Sequence, residues 1–306
     1  MTVQRALHCF DELIGQRFNL LVVDEASQVA LASAAMLAAF APRVMFTGDP
    51  YQLSPIVQAA TPEAQRWMGN SVFSSIDELA PWVCYLNEQS RMAPQICTLV
   101  SLLFYKGNLT VARDCLENEI WQLERQVESD SRPGHASILI RPVQGKALWS
   151  AKYMGLIRLN SAEIIQELIY QFTRHTNQND ILVTTPFRAQ EKLIKEKLRQ
   201  AGMKQVTVST VHRVQGNEFH TVIFDPVDGA HRFLSSPNSK QLINVAMSRA
   251  KARLILLFSP SDLQNGLLKK AAALISRMQS QSPFSKPETD WLSQNSNNSN
   301  PIFIDH

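Results

Sequence analysis

The sequence predicts an α/β protein whose parallel sheets carry helices on both faces. Two observations predict it. Short runs of apolar, largely β-branched residues recur along most of the 306 residues, in the near-continuous form of strands covered on both sides. Between them lie longer stretches with apolar residues at helical spacing, the alternation that crossover helices require.

The strands are expected at residues 20–23, 44–46, 83–86, 138–140, 181–183, 206–209, 222–224 and 254–258. The N-terminal MTVQRALHCFDEL run has an amphipathic helical pattern. The clearest helix follows Asn160, read as its N-cap with Glu163 completing a capping box; Ile164, Ile165, Leu168, Ile169 and Phe172 share one face. A second helix is expected over residues 189–200, burying Leu193, Ile194 and Leu198 and ended by Gly202. Residues 108–133 are charged and aperiodic and read as a surface excursion. One more helix is expected after Leu268, and then a polar tail, QSQSPFSKPETDWLSQNSNNSN, of disordered composition. Pro81 and the apolar run after it suggest a boundary at residues 82–88.

Composition bounds the class of function. With 45% hydrophobic and 19% charged residues the chain is globular, and its longest apolar run, residues 29–41, is too short to span a bilayer. The N-terminus lacks the apolar core of a signal peptide, which leaves the cytoplasm as the expected location. Cys9, Cys84, Cys97 and Cys115 are scattered without a C-x-x-C pair, so buried free thiols are expected, not a zinc or disulfide framework. The net charge of +3 is compatible with nucleic acid but does not argue for it.

The chemistry-bearing residues sit where strands end. LLVVDEASQ places Asp24 and Glu25 directly after a buried strand, the edge at which open α/β sheets bind ligands. One carboxylate there can hold Mg²⁺ through its waters and the other can orient a water; a strand end meeting a solvated turn would look the same. VMFTGDPYQLSP follows about one β-α unit later, breaking at Gly48 and Asp49 and setting Gln52 to donate its amide to a phosphate oxygen.

These segments resemble motifs II and III of superfamily 1 helicases of the Upf and NAM type. The likeness continues in the family's order. LNEQSRMAPQICTLVSLLFYKGNL resembles the opening of the second motor domain, ILVTTPFRAQ the T-P-aromatic-x-x-Q motif, VSTVHRVQGNEFHTVIF motif V and LINVAMSRAKARLILL motif VI. The resemblance implies RecA-like lobes, one incomplete over residues 1–84 and one complete over 85–262, with a helix and tail over 263–306. It implies an ATP-dependent helicase or translocase on single-stranded nucleic acid, DNA before RNA, with ATP and Mg²⁺ at the cleft between lobes. Asp24, the Mg²⁺ carboxylate, Glu25, Gln52, Arg91 and Arg249, the arginine finger, are its catalytic set. Gln28, Gly48, Asp49, Gly216 and Glu218 belong to nucleotide handling, and Thr185, Pro186, Thr210, His212 and Arg213 to the nucleic-acid backbone. His212 could equally be an ordinary loop histidine, Arg213 a solvated charge, and Phe187 a base-stacking ring or a cover for the core edge.

Two departures stand out. No G-x-x-x-x-G-K-[ST] phosphate loop occurs in these residues; the one Gly-Lys pair, Gly145-Lys146, lacks the earlier glycine. The family's loop would lie upstream, on another segment or chain, so a module that binds nucleic acid but hydrolyses nothing is the alternative. At Ser90 many relatives carry a tyrosine that stacks on adenine, which a serine cannot do.

Overall fold

The computed structural model describes residues 1–16, 18–77, 80–127, 137–173, 176–214, 216–236 and 238–280. The expected polar tail beyond residue 280 and the end of the 108–133 excursion lie outside the described residues. The chain divides into two compact units, Met1–Leu86 and Asn87–His306.

The first unit runs α1 (Val3–His8), α2 (Phe10–Ile14), β1 (Leu21–Val23), α3 (Leu31–Leu37), β2 (Val44–Phe46) and α4 (Pro62–Met68). Strands β1 and β2 pair in parallel, Leu21 opposite Val44 and Val23 opposite Phe46. Ala34, Leu37 and Phe40 are buried with Val23, and Leu7, Phe10 and Leu13 pack onto them from the N-terminal helices. The amphipathic pattern at the N-terminus therefore forms two short helices jointed at Cys9, with Phe10 against Phe40 at 5.0 Å between ring centroids.

The second unit begins with β3 (Glu88–Gln89), α5 (Pro94–Phe104), β4 (Thr110–Val111), α6 (Arg113–Glu117) and α7 (Glu119–Leu123). It continues with β5 (Ile138–Pro142), the hairpin β6 (Leu148–Ser150) and β7 (Gly155–Ile157), α8 (Leu159–Phe172), β8 (Ile181–Thr185) and α9 (Arg188–Gln200). It closes with β9 (Thr207–Thr210), β10 (Phe219–Phe224), α10 (Ser239–Met247), β11 (Ala250–Phe258) and α11 (Gly266–Ser280). Five strands form one sheet in the order β5-β11-β10-β8-β9, with every neighbouring pair parallel. Ile181, Val183, Ile223, Ile255 and Leu257 point into a core with Ile165, Ile169 and Ile194 of α8 and α9. The alternate residues Leu182, Val222, Phe224, Leu254 and Leu256 are fully buried as well, and α5 and α10 pack against β11 and β10. Burial on both faces is why these strands read as continuous apolar runs. The α/β, RecA-like class with helices on both faces is the class the sequence predicts.

Three local expectations fail. Residues 83–86 form no strand: Val83 closes a turn onto Ala80, and Leu86 is 91% exposed, with no strand paired to it among the described residues. Asn160 is not the N-cap of its helix. The helix starts one residue before it, behind Arg158, and the Asn160 Oδ1 accepts from the Gln144 N–H at 2.7 Å; Glu163 pairs with Lys197 instead of capping. Of the four cysteines, all free, only Cys97 is buried, because the other three lie on short helices and loops that the sheet does not cover.

Candidate functional site

The first unit gathers its motif residues after the carboxyl ends of β1 and β2, while in the second Thr185 and Thr210 end β8 and β9 but Glu218 and Arg249 precede the amino ends of β10 and β11; each unit is described by itself. In the first unit Asp24 follows β1 and is exposed. Its Oδ1 accepts from the Thr47 hydroxyl and, at 2.9 Å, from the Glu25 N–H, and these bonds hold its carboxyl below the usual aspartate range. Both bonds land on Oδ1. Among the described residues nothing bonds the second oxygen, and an ionised carboxylate open in this way suits a hard divalent cation bound through water. Glu25 sits at φ 52°, a left-handed conformation that an ordinary residue adopts only when its surroundings enforce it. The enforcement is visible: the Ala26 N–H donates to Thr47 O at 2.8 Å, tying the turn after β1 to the end of β2.

Gly48 completes this joint. A Cβ there would lie 3.0 Å from Ala26 N and 3.2 Å from Ser27 N, so only glycine lets the two turns touch. Gln28 donates to Glu25 Oε2 at 3.5 Å. Gln52 donates its side-chain amide to Asp49 Oδ2 at 3.0 Å, and the Tyr51 N–H takes the other Asp49 oxygen. Asp24, Glu25, Gln28, Gly48 and Asp49 are thus one connected patch, with Gln52 turned onto Asp49 at its border.

In the second unit the structure brings Arg91, Glu218 and Arg249 together and adds a residue the sequence reading passed over. Arg91 Nε donates to Glu218 Oε2 at 2.9 Å, and Lys251 Nζ donates to Glu218 Oε1 at the same distance. Arg91 Nη1 reaches the Ser248 carbonyl at 3.3 Å, and Arg249 Nη1 the Asn217 carbonyl at 3.4 Å. Each arginine is bonded to the residue preceding another member of the cluster. Burial opposes ionisation of Glu218, but the hydrogen bonds from Lys251 and Arg91 outweigh it and its carboxyl stays below the usual glutamate range. Arg249 is 2% exposed, so any contact with a ligand requires it to be uncovered. Gly216, at φ +86°, turns the chain between β9 and this cluster. Lys251 was legible in principle, two residues after Arg249 at the start of β11.

Thr185 and Thr210 are register partners at the carboxyl ends of β8 and β9, and both side chains are buried. Pro186 is half-buried and Phe187 packs edge-on against His231 at 5.2 Å, so covering the core edge is what its ring does. Arg213 keeps 63% of its side chain exposed, 3.8 Å from Glu191. Protein packed around His212 and the Arg188 charge lower its pKa, though its exposure limits the size of that shift.

Gln190 turns inward, not outward. Its amide bonds the Arg158 main chain through both atoms and donates to Asp225 Oδ2 at 2.8 Å. Arg158 in turn lies between Asp225 and Asp262, all three at most 1% exposed in their side chains. This polar knot fastens the starts of α8 and α9 to the ends of β10 and β11, and the sequence reading did not find it.

Residues 68–261 match the AAA domain family, more than half of the chain. This chain belongs to that family, as the C-terminal region of a superfamily 1 helicase. Similar proteins include the Xenopus laevis DNA replication ATP-dependent helicase/nuclease DNA2, 28% identical over 79% of this chain and 25% of that protein. The Schizosaccharomyces pombe DNA polymerase alpha-associated DNA helicase A is 26% identical over 80% of the chain and 38% of its own length. An Arabidopsis thaliana regulator of nonsense transcripts 1 homolog is 25% identical over 82% and 21%. The chain therefore spans 21–38% of the length of these relatives. Among solved structures, the Arterivirus nonstructural protein 10 helicase aligns at 16% identity and a TM-score of 0.38, over 80% of this chain and 40% of that one. Among the described residues no helix is long and apolar enough to cross a membrane.

Proposed function

We propose that this chain supplies the motif II to motif VI part of an ATP-driven motor that moves on single-stranded nucleic acid, DNA before RNA. The observation that carries the reading is the convergence of Arg91 and Lys251 on one carboxylate, Glu218, with Arg249 bonded to the Asn217 carbonyl beside it. A fixed guanidinium that cannot deprotonate suits charge developing on a transferring phosphoryl group. Arg91 and Arg249 take that role here, while Glu218 holds Arg91 until a more highly charged oxyanion competes for it. In the other unit Asp24 would hold Mg²⁺ through water and Glu25 would orient the attacking water. When bound, Mg²⁺ supplies charge neutralisation of the phosphates. Gln52, now bonded to Asp49, is the third donor assigned to phosphate oxygens.

Nucleic acid would meet the second unit at the start of α9 and at the loop after β9. Main-chain groups near Thr185, Pro186 and Thr210, with the His212 and Arg213 side chains, suit phosphate contacts that carry no base code. The test is titration with magnesium pyrophosphate and with labelled DNA and RNA strands at several salt concentrations. Pyrophosphate affinity should fall in Arg91→Ala, and strand affinity should decline with salt on a shallow log–log slope and be indifferent to sequence. Pyrophosphate binding unchanged in Arg91→Ala sinks the phosphate reading.

The missing glycine-lysine loop in these residues favours a second reading, a nucleic-acid-binding module without hydrolysis. Turnover of ATP stimulated by single strands, and lost in Glu25→Gln, decides against it.

A further inference from the structure

Arg91 lies on a turn between β3 and α5, and no motif explains how that turn is held. Gln89 braces it from within: its amide donates to Met92 O at 3.1 Å and accepts from Met92 N–H at 2.7 Å. The outer grip comes from α7 and the residues after it, in the segment that reads as an aperiodic excursion. The Trp121 indole N–H donates to the Ser90 carbonyl. Arg125 donates through Nη2 to Ser90 O at 3.2 Å and through Nε to Arg91 O at 3.1 Å. Its guanidinium lies over the Trp121 ring, 4.4 Å from the centroid, and its Nη1 bonds Trp121 O and Glu124. The Arg125 side chain is 8% exposed although the turn it grips is on the surface.

We propose that Trp121 and Arg125 are positioning residues for Arg91, fixing its backbone so that its guanidinium is aimed before any phosphate arrives. This rests on the reading that Arg91 faces a phosphate. The physical case is preorganisation. A side chain that stabilises developing charge acts at full strength only if its own backbone does not relax, and a small misplacement costs rate. Two adjacent carbonyls caught by one planar guanidinium, with an indole locking the fork from its face, leave the Ser90–Arg91 peptide little freedom. An ammonium could not bond both carbonyls in that geometry. The arrangement also uses the neighbourhood of Ser90 in a particular way: the ring beside it is spent on the main chain.

The experiment uses the chain labelled with isotopic arginine, following the Arg91 Nε–H signal, assigned by its loss in Arg91→Lys, and titrating inorganic pyrophosphate. In the parent the signal is protected by Glu218 and shifts on titration. In Arg125→Ala it should exchange with solvent about tenfold faster or more, as expected for loss of charge-assisted bonds, and pyrophosphate should bind correspondingly more weakly. The Arg249 signal should stay as in the parent. Arg125→Lys should not rescue. Trp121→Phe, which removes one donor and keeps a ring, should give a smaller change in the same direction, and it decides the matter if Arg125→Ala disturbs Arg249 as well. Parent-like Arg91 exchange and pyrophosphate affinity in Arg125→Ala and Trp121→Phe overturn the inference. Pyrophosphate binding that is indifferent to Arg91→Lys and Arg91→Ala overturns instead the phosphate reading beneath it.

Discussion

Arg158 and Asp225 form a 2.7 Å ion pair with essentially no exposed surface, at the carboxyl end of the five-stranded sheet. Asp225 and Asp262 keep the guanidinium charged: burial opposes its ionisation, and the two carboxylates more than restore it. Arg158→Met leaves both carboxylates buried without their cation. The second unit should lose about 3–5 kcal/mol, the usual cost of removing one partner of a buried pair. Urea melts of parent and variant measure it, and a loss under about 1 kcal/mol would mean that water already reaches the knot.

Glu218→Gln removes the carboxylate shared by Arg91 and Lys251. The pair is 32% and 40% exposed, so stability should change little. Anion affinity should rise, because two cations lose their competing partner. Pyrophosphate titration tests this, and a fall in affinity would mean that Glu218 orders Arg91 more than it competes for it.

The chain of these 306 residues should bind ATP weakly and show no hydrolysis stimulated by single strands, for want of a phosphate cradle. With a phosphate-loop segment supplied, Arg249→Ala should lower kcat by roughly three orders of magnitude and change nucleotide affinity much less, since charge builds mainly in the transition state. Steady-state turnover checks both statements; near-normal kcat in Arg249→Ala removes it from the chemistry.

Stability should be flat between about pH 7 and pH 8 and decline as pH falls below about 6.5, the ordinary histidine value. Burial and then the Arg253 charge lower the pKa of His220, and burial and Arg188 lower that of His212. The unfolded chain therefore takes up these protons first, which penalises the folded state on the acid side. Glu218 and Asp24, held below their ordinary values, add their own loss only at more acid pH, as they protonate. Urea midpoints from pH 8 to pH 5 should slope downward, less so in His220→Gln. An unchanged slope in that variant assigns the decline elsewhere.

The sheet was legible in the sequence because burial on both faces writes itself as uninterrupted apolar runs, as at Ile181 to Val183 and Leu254 to Phe258. Residues 83–86 carry the same signal without a partner strand, and composition cannot report a missing neighbour. The motif residues were legible as local strings: Arg91, Glu218 and Arg249 were each singled out before their meeting was visible. Their common cluster depends on the order in which distant strands pair, which no local pattern states. Trp121 and Arg125 were hidden for another reason. They act on carbonyls, and a side chain that grips main chain leaves no complementary residue in the sequence to pair it with. Gln190 was legible only as the last residue of the T-P-aromatic-x-x-Q string, and a glutamine there serves a buried knot as readily as a phosphate.

The pairing of β5 with β11 sets the order in which this molecule can be built. Ile138 to Pro142 leave the ribosome first, and their partner, Leu254 to Phe258, is synthesised roughly a hundred residues later. At about 5–20 residues per second this is an interval of roughly 5–20 s. Through that interval an apolar strand has no sheet partner, and unpaired apolar strands capture other chains. The late strand is also the one that carries Lys251 at its start, so the charge cluster and this strand pair can close only once β11 has been made.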